Sequence, residues 1–232
     1  MTPTKSILLG AEAPRVLTVP MISAVLANRR KLPARNTLFR WIRKQTEAGA
    51  LQPLTRGLYI NQLASPRPAA ADAAAFVRSG AIVSLQTVLG EAGVTNNYSD
   101  IITCVLPQDR EHSPSVRPVR ARGVEFRFHA MPARLLDARA SALEDRMDLD
   151  AKYPRATPEK ALLDWIYLGA SPRTKIAGPP LNIDARRLDT SRLGRLAKAM
   201  LLTPQLKVYL ARKRQHDKDP EVLANTSIKE AS

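Results

Sequence analysis

The sequence predicts a mixed α+β protein built from two domains. Its 232 residues are too many for one small domain and are comfortable for two. Helical apolar patterns alternate with short strand-like runs along the chain, and a stretch rich in proline and alanine, residues 63–75, separates two such series. We therefore predict an N-terminal domain over 1–65, a mixed α/β domain over 70–215 and a flexible tail over 216–232.

Four elements are predicted in the first domain, in the order helix, helix, strand, strand: residues 19–28, 35–48, 51–54 and 56–60. A break at 32–34 separates the helices, and Gly49 is a suitable stop for the second one. A tight turn joins the two strands into a hairpin. Helix, short break, helix and hairpin is the order of a winged helix-turn-helix, which is the fold class expected here.

The charge of the chain is large and unevenly distributed. There are 36 Lys and Arg against 21 Asp and Glu, a net charge of +15. Residues 1–65 carry ten basic and two acidic side chains, residues 66–155 carry twelve and eleven, and residues 156–232 carry fourteen and eight. Such an excess favours a polyanionic partner. A role in solubility would account for the total net charge. It accounts less well for the concentration of basic residues at the N-terminus.

The second predicted helix has two stripes, one apolar and one polar, and the polar stripe consists of Asn36, Arg40, Arg43 and Lys44. Leu38, Trp41 and Ile42 form an apolar stripe that would pack against the first helix. A major groove admits one such helix, and its N-terminal residues contact base edges. The residues predicted to lie nearest the bases are Arg35, Asn36, Thr37 and Arg40. One turn further along the helix, Arg43 and Lys44 are expected to contact phosphates.

Basic residues on both sides of this helix extend the predicted DNA-binding surface. Arg29, Arg30 and Lys31 precede it as phosphate contacts, and Arg56 lies in the hairpin turn, where it would touch the backbone or the minor groove. The alternative is that the cations form the solvated face of an ordinary helix. Two observations argue against that alternative. The helix contains a single acidic residue, Glu47, and basic residues lie on both sides of it.

The second domain is predicted to mix helices and strands. The predicted helices are 72–78, 84–92 with Ser84 as N-cap, 157–169, 190–202 and 205–213, and the predicted strands are 101–106 and 124–130. Residues 108–122 are predicted to be an exposed loop, and residues 134–153 remain ambiguous between helix and loop. Thr157, Pro158 and Glu159 form a strong helix start, after which Lys160 can pair with Asp164.

Three segments carry a resemblance to a known family: LQPLTRGLY over 51–59, AIVSLQTVLGEAG over 81–93 and ATPEKALLD over 156–164. Together they resemble the AbiEi-type antitoxins of type IV toxin–antitoxin systems. The resemblance covers most of residues 15–205, and its Thr-Pro-Glu-Lys segment is the most specific part. The regions 108–122 and 134–153 match nothing in that family's pattern.

The resemblance implies a repressor and antitoxin that takes part in phage defence by abortive infection. The winged helix would bind inverted repeats in double-stranded DNA of its own promoter, as a monomer or weak dimer, alone or cooperatively. The C-terminal domain would counter a nucleotidyltransferase-like toxin, directly or indirectly. The alternative is a stand-alone winged-helix regulator, or an RNA-binding module, whose C-terminal domain dimerises or senses a ligand.

A second basic cluster lies in the C-terminal domain, at Arg186, Arg187, Arg192, Arg195 and Lys198. From Arg192 onward the spacing of three keeps the cations on one helical face. These side chains would face an acidic toxin surface, contact the DNA backbone or simply face water. Water is the default expectation for such a cluster.

No catalytic or cofactor site is expected. Cys104 lies within a predicted strand as a small buried residue, and the pair Asp148 and Asp150 lacks the Gly-Ser loop of a nucleotidyl-transfer site. Three scattered histidines have no metal-ligand spacing. No apolar run is long enough for a membrane span and no secretory signal is evident. We expect a cytoplasmic non-enzyme without metal, cofactor or membrane partner.

Overall fold

A computed structural model describes residues 8–27, 34–96, 99–137 and 142–218 of the chain. It is a mixed α+β fold with two small sheets. The contacts divide the chain into two compact units. The first comprises Met1–Ser79 with Pro118–Phe126, and the second comprises Gly80–Arg117 with Arg127–Ser232.

The first elements of the first unit are the two helices and the hairpin that the sequence predicts, together with one further strand. In chain order the elements are β1 (Val16–Thr18), α1 (Val19–Leu26), α2 (Arg35–Glu47), β2 (Leu51–Thr55) and β3 (Leu58–Asn61). The strands form an antiparallel sheet in the order β1-β3-β2. Sequence analysis missed β1, because three residues are too few to show a periodicity of two.

The core of the first unit lies between the helices and the sheet. Leu38 and Ile42 are the buried apolar residues of α2, and they join Leu17, Ile22 and Leu51 in one cluster. Burying a side chain of this size contributes about 1.5–3 kcal/mol. The orientation of α2 is therefore fixed mainly by its apolar stripe.

The hairpin turn is attached to the start of α1. Gly57 has φ 78°, a left-handed conformation that glycine adopts at little cost. Its carbonyl accepts the N–H of Val19 at 3.1 Å. The neighbouring Thr18 caps α1, since its hydroxyl accepts the N–H of Met21 at 3.3 Å. These hydrogen bonds hold the hairpin turn against the start of α1.

The segment 63–75, which the sequence predicts to be a linker running into a helix, lies within the first unit. The Arg15 guanidinium forms an ion pair with the buried carboxylate of Asp72 and also donates to the carbonyl of Pro66. Asp72 in addition accepts the N–H of Ala69 at 2.9 Å. A 3-10 turn over Ala70–Ala73 leads into the short α3 (Ala74–Val77). A long-range ion pair of this kind leaves no local signal in sequence.

The second sheet has the strand order β4-β5-β7-β6. Its strands are β4 (Ile82–Val83), β5 (Ile101–Gln108), β6 (Val119–Ala121) and β7 (Val124–Pro132). The helices that follow the first unit are α4 (Leu85–Glu91), α5 (Ala133–Asp137), α6 (Leu143–Arg146), α7 (Pro158–Ala170), α8 (Thr190–Ala199) and α9 (Thr203–His216). Strand β6 and the first three residues of β7 group with the first unit, where the N–H of Arg122 donates to the carbonyl of Leu54.

Several sequence predictions for this part need correction. The region 108–122 is not entirely a loop, because β6 pairs with β7 within it. Strand β5 continues through Pro107 to Gln108, and on the β4 side its partners are Cys104 and Val105, so that side requires no N–H from the proline. The ambiguous region 134–153 contains most of α5 and all of α6.

The predicted tail begins too early. Helix α9 extends through His216, with Asp217 as its C-cap, whereas the prediction placed residue 216 outside the helix. Residues 219–232 lie outside the described part of the chain. Within the described residues, no helix is both long and apolar enough to cross a membrane.

The packing of α2 yields a stability prediction. Leu38→Ala removes a side chain that is 6% exposed and should lower the free energy of unfolding by about 2–5 kcal/mol. Its neighbour Phe39 is 43% exposed, so Phe39→Ala should cost less than about 1 kcal/mol. Urea unfolding of both variants checks this. Equal losses would contradict the burial pattern of α2.

Candidate nucleic-acid interface

Helix α2 presents its predicted DNA-binding residues to solvent. Arg35, Asn36, Thr37, Arg40, Arg43 and Lys44 are all exposed. Leu38, Ile42 and Gln45 are buried on the opposite face. Successive residues of a helix turn by about 100°, so burial of one stripe points the other outward. The two-stripe prediction is confirmed in this respect.

The cations of α2 differ in how far their charge is compensated. Arg40 and Lys44 form no ion pair with any described residue. Arg43 donates to Glu47 at 2.8 Å, but both side chains are mostly exposed, and such pairs contribute little. The helix thus retains at least two uncompensated positive charges on its outer face.

Phe39 is the residue on this face that sequence analysis missed. Its ring is 43% exposed, and the Arg35 guanidinium lies 5.8 Å from its centroid, within the range of a cation–π contact. The contact restrains Arg35 at the start of the helix. An apolar residue four positions after an arginine, outside the apolar stripe, was the available signal.

Among the residues that the structure describes, no side chain caps the N-terminus of α2. Ala34 occupies the capping position, and the first turn contains no acidic residue. The N–H groups of that turn therefore keep their partial positive charge, which favours anions. Acidic groups are also scarce in the first unit, whose described residues include ten basic and four acidic side chains.

Arg56 occupies the hairpin turn beside Gly57. Its side chain is exposed and forms no ion pair with a described residue. The hydrogen bond from Val19 to Gly57 holds the turn itself in place. The remaining predicted contacts, Arg29, Arg30 and Lys31, lie outside the described residues.

The second basic cluster is largely paired within the chain. Arg186 and Arg187 both contact Asp184, at 2.9 and 3.4 Å. Arg195 donates to the buried Asp145 through two nitrogens, at 2.7 and 3.0 Å. Arg192 lies 3.5 Å from Asp145 and 3.4 Å from Glu159. Lys198 is exposed and forms no ion pair with a described residue.

These contacts give the cluster a structural role. Arg195 lowers the pKa of Asp145 below its ordinary value, chiefly through the hydrogen bond it donates. Glu159 is buried and accepts the N–H of Asp189 at 2.8 Å, in addition to contacting Arg192. Helices α6, α7 and α8 are therefore connected by charged groups that the sequence placed on separate elements.

The segment with the most specific family resemblance forms a buried network. Thr157 caps α7, accepting the N–H of Lys160 at 3.3 Å, and Lys160 pairs with Asp164, as predicted. Ser84 is not a side-chain cap, which corrects the prediction. Its hydroxyl instead donates to Asp164 at 2.8 Å. Burial raises the pKa of Asp164, and the Lys160 charge opposes that shift.

The residues considered as catalytic or metal-binding groups, Cys104 and Asp148, are engaged in the packing and ion pairs of the fold. Cys104 is fully buried, as predicted, and burial raises the pKa of its thiol to about 12, so it stays protonated. Asp148 pairs with Arg155. Among the described residues, no group of three or more His, Cys, Asp or Glu side chains is placed to hold a metal ion.

Comparison with known proteins adds no relative to this picture. No model of a known protein family matches the chain, and no curated protein matches it. The features that bear on function are the exposed face of α2, the hairpin turn and the three segments that carry the resemblance.

The Asp145 cluster predicts a pH dependence of stability. A carboxylate whose pKa is lowered on folding stabilises the protein above its unfolded pKa, and this contribution is lost as pH falls through the folded pKa. Asp145→Asn should therefore lower stability at pH 7 and flatten the loss of stability below about pH 4. Urea unfolding between pH 7 and pH 2.5 checks this.

The exposed Asp150 gives a matched control, because Asp150→Asn removes the same charge without removing an arginine contact. It should leave the pH profile of the wild type nearly unchanged. Identical profiles for both variants would show that Asp145 is not stabilised by Arg195.

Proposed function

We propose that the first unit is a winged helix-turn-helix that binds duplex DNA in the promoter of its own operon, and that the whole chain is a repressor and antitoxin. One observation carries the DNA-binding part. Helix α2 is anchored by Leu38 and Ile42, while Arg40 and Lys44 face solvent with no carboxylate partner among the described residues. A cationic helix held in this way can enter a major groove.

The position of each residue along α2 suggests its contact. Asn36 and Arg40 are one turn apart near the N-terminus, where a recognition helix meets base edges. Asparagine can donate to and accept from adenine, and arginine can donate two hydrogen bonds to guanine. Lys44 lies a further turn along and suits a phosphate. Arg56 in the hairpin turn would contact the backbone or the minor groove.

Arg43 has a competing partner that modifies its role. Its ion pair with Glu47 lies in solvent and is weak, so a phosphate can replace the carboxylate. The same pair keeps Arg43 directed along the helix axis, toward its C-terminal end. Arg43 is therefore assigned to the backbone rather than to a base.

Two substitutions on α2 should separate base contact from phosphate contact. Arg40→Ala should weaken binding to the promoter by about 1–3 kcal/mol and relax sequence preference at one base pair. Lys44→Ala should weaken binding to all duplexes alike and reduce the slope of log affinity against log salt by about one. Titration of a labelled promoter fragment and of a scrambled duplex, at several salt concentrations, measures both effects.

Lys207 provides the control for these measurements. It is an exposed lysine on α9, in the second unit, so Lys207→Ala removes one charge without altering α2. It should change neither affinity nor sequence preference. Unchanged binding by Arg40→Ala and Lys44→Ala together would refute the assignment of α2 to the groove.

The antitoxin part of the proposal rests on the family resemblance. Two of its three segments lie in the second unit, where they form β4, α4 and the start of α7. Their shared network of Ser84, Lys160 and Asp164 is buried, so it supports the fold of an antitoxin domain rather than direct contact with a toxin. Any toxin-contacting residues must lie elsewhere on that unit.

Growth rescue tests this part with the full chain. Co-expression should restore growth of cells that produce the toxin, which the resemblance predicts to be a nucleotidyltransferase-like protein encoded beside this chain. Arg40→Ala should rescue growth as well as the wild type while losing repression of a promoter fusion, because the two activities belong to different units. Colony counts and reporter activity from the same strains measure both.

The outcomes distinguish the two candidate functions. Repression without rescue would identify a stand-alone regulator. Loss of rescue in Arg40→Ala, at equal protein abundance, would show that antitoxin activity requires DNA binding and would contradict the division of labour.

A further inference from the structure

A cavity of about 760 Å³ lies in the second unit. It is bordered by the last residues of β7, the start of α5, the C-terminal end of α7 and the loop after α7. Small-molecule sites have volumes of roughly 300–1,000 Å³. The cavity is large enough for a ligand of that class.

Positive charge dominates its lining. Four cationic side chains contribute to it: Arg110, Arg134, Arg173 and Lys175. Asp109 is the only carboxylate among the lining residues, and it is already engaged. Its Oδ1 atom accepts the N–H groups of Glu111 and His112, at 2.9 and 2.6 Å.

The four cations have no partner within the described part of the chain. No ion pair or side-chain hydrogen bond joins any of them to a described residue. Six other arginines of the same unit do have carboxylate partners: Arg146, Arg155, Arg186, Arg187, Arg192 and Arg195. Uncompensated cations around one cavity favour an anionic ligand.

The lining also includes apolar and aromatic side chains. Phe128 and Leu168 are buried, and Tyr167 is half-buried. Val116 also borders the cavity and is 45% exposed. A flat ring could cover this surface, with its anionic group among the cations.

The loop that carries Arg173 and Lys175 is fixed to α7. The Thr174 hydroxyl donates to the carbonyl of Leu168, and the Trp165 indole donates to the carbonyl of Ala177 at 2.8 Å. Gly169 lies so close to the loop that an added Cβ would be 2.5 Å from Gly178 Cα. Cations on a restrained loop need little ordering when a ligand binds.

From this arrangement we propose that the cavity binds a small phosphorylated aromatic molecule of the nucleoside phosphate class. Arg134 and Arg173 bind the phosphates, because a planar guanidinium donates two parallel hydrogen bonds to an anionic oxygen pair. Tyr167 and Phe128 contact the base. This proposal does not depend on DNA binding by the first unit.

His129 adds a polar group to the same lining. Burial, followed by the charge of Arg127, lowers the pKa of its imidazole below the ordinary value. The ring is therefore neutral at pH 7 and has one donor and one acceptor nitrogen. Such a group can recognise a ribose hydroxyl or a base edge without repelling the cations.

Isothermal titration of the full chain with ATP, without added metal, tests the proposal. Saturable binding is expected, and Arg134→Gln combined with Arg173→Gln should weaken it about tenfold or more. Lys207→Gln, which removes an exposed cation away from the cavity, should leave the affinity unchanged. Absence of saturable ATP binding, or equal affinity in the double variant, would overturn the proposal.

Two further probes distinguish the source of the affinity. Inorganic tripolyphosphate should bind at least tenfold more weakly than ATP, since it lacks the ring. Equal affinity would overturn the assignment of Tyr167 and Phe128 to the base. A duplex DNA or single-stranded RNA oligonucleotide should bind the double variant as it binds the wild type. Loss of oligonucleotide binding instead would assign these cations to a nucleic-acid surface.

Folding of the variants is checked directly. Arg134 and Arg173 are exposed, so the double variant should unfold thermally at the wild-type temperature when no ligand is present. If it does not, the single variants Arg134→Gln and Arg173→Gln test the same two charges separately. Unchanged ATP affinity in both of these folded variants would overturn the proposal.

Discussion

Burial of the apolar stripe of α2 is the constraint on which the candidate interface depends. A helix with basic side chains has no defined binding face until its rotation about its own axis is fixed. Leu38 and Ile42 fix that rotation by packing with Leu17, Ile22 and Leu51. Because they do so, Arg40 and Lys44 point into solvent at positions set by the core rather than by their own contacts.

Charge compensation separates the basic residues into two groups. Arg192 and Arg195 are attached to carboxylates on other helices, where their charge holds elements together. Arg40, Lys44 and the four cations around the cavity have no such partner among the described residues. A net charge of +15 cannot make this distinction, since it counts both groups equally. Binding is best sought where the charge is uncompensated.

The segment that most resembles the antitoxin family illustrates how a motif can be structural. Thr157 caps α7, while Lys160 and Asp164 form a buried pair that Ser84 completes from the other side. Removing one member of a buried pair leaves an uncompensated charge, which is costly. The residues that carry the resemblance therefore report on how the domain is built, and a toxin surface would be formed by other side chains.

The sequence by itself determined the elements with strong local signals. The two stripes of α2, the turn at Gly57 and the cap at Thr157 depend on neighbours within a few positions, so periodicity and composition predict them. Only the tertiary structure decided the long-range contacts: the pairing of Arg15 with Asp72, the neutralisation of Arg195 by Asp145, and the cavity that Arg134 helps to line. These join residues distant in sequence, and no local pattern encodes which elements the fold will bring together.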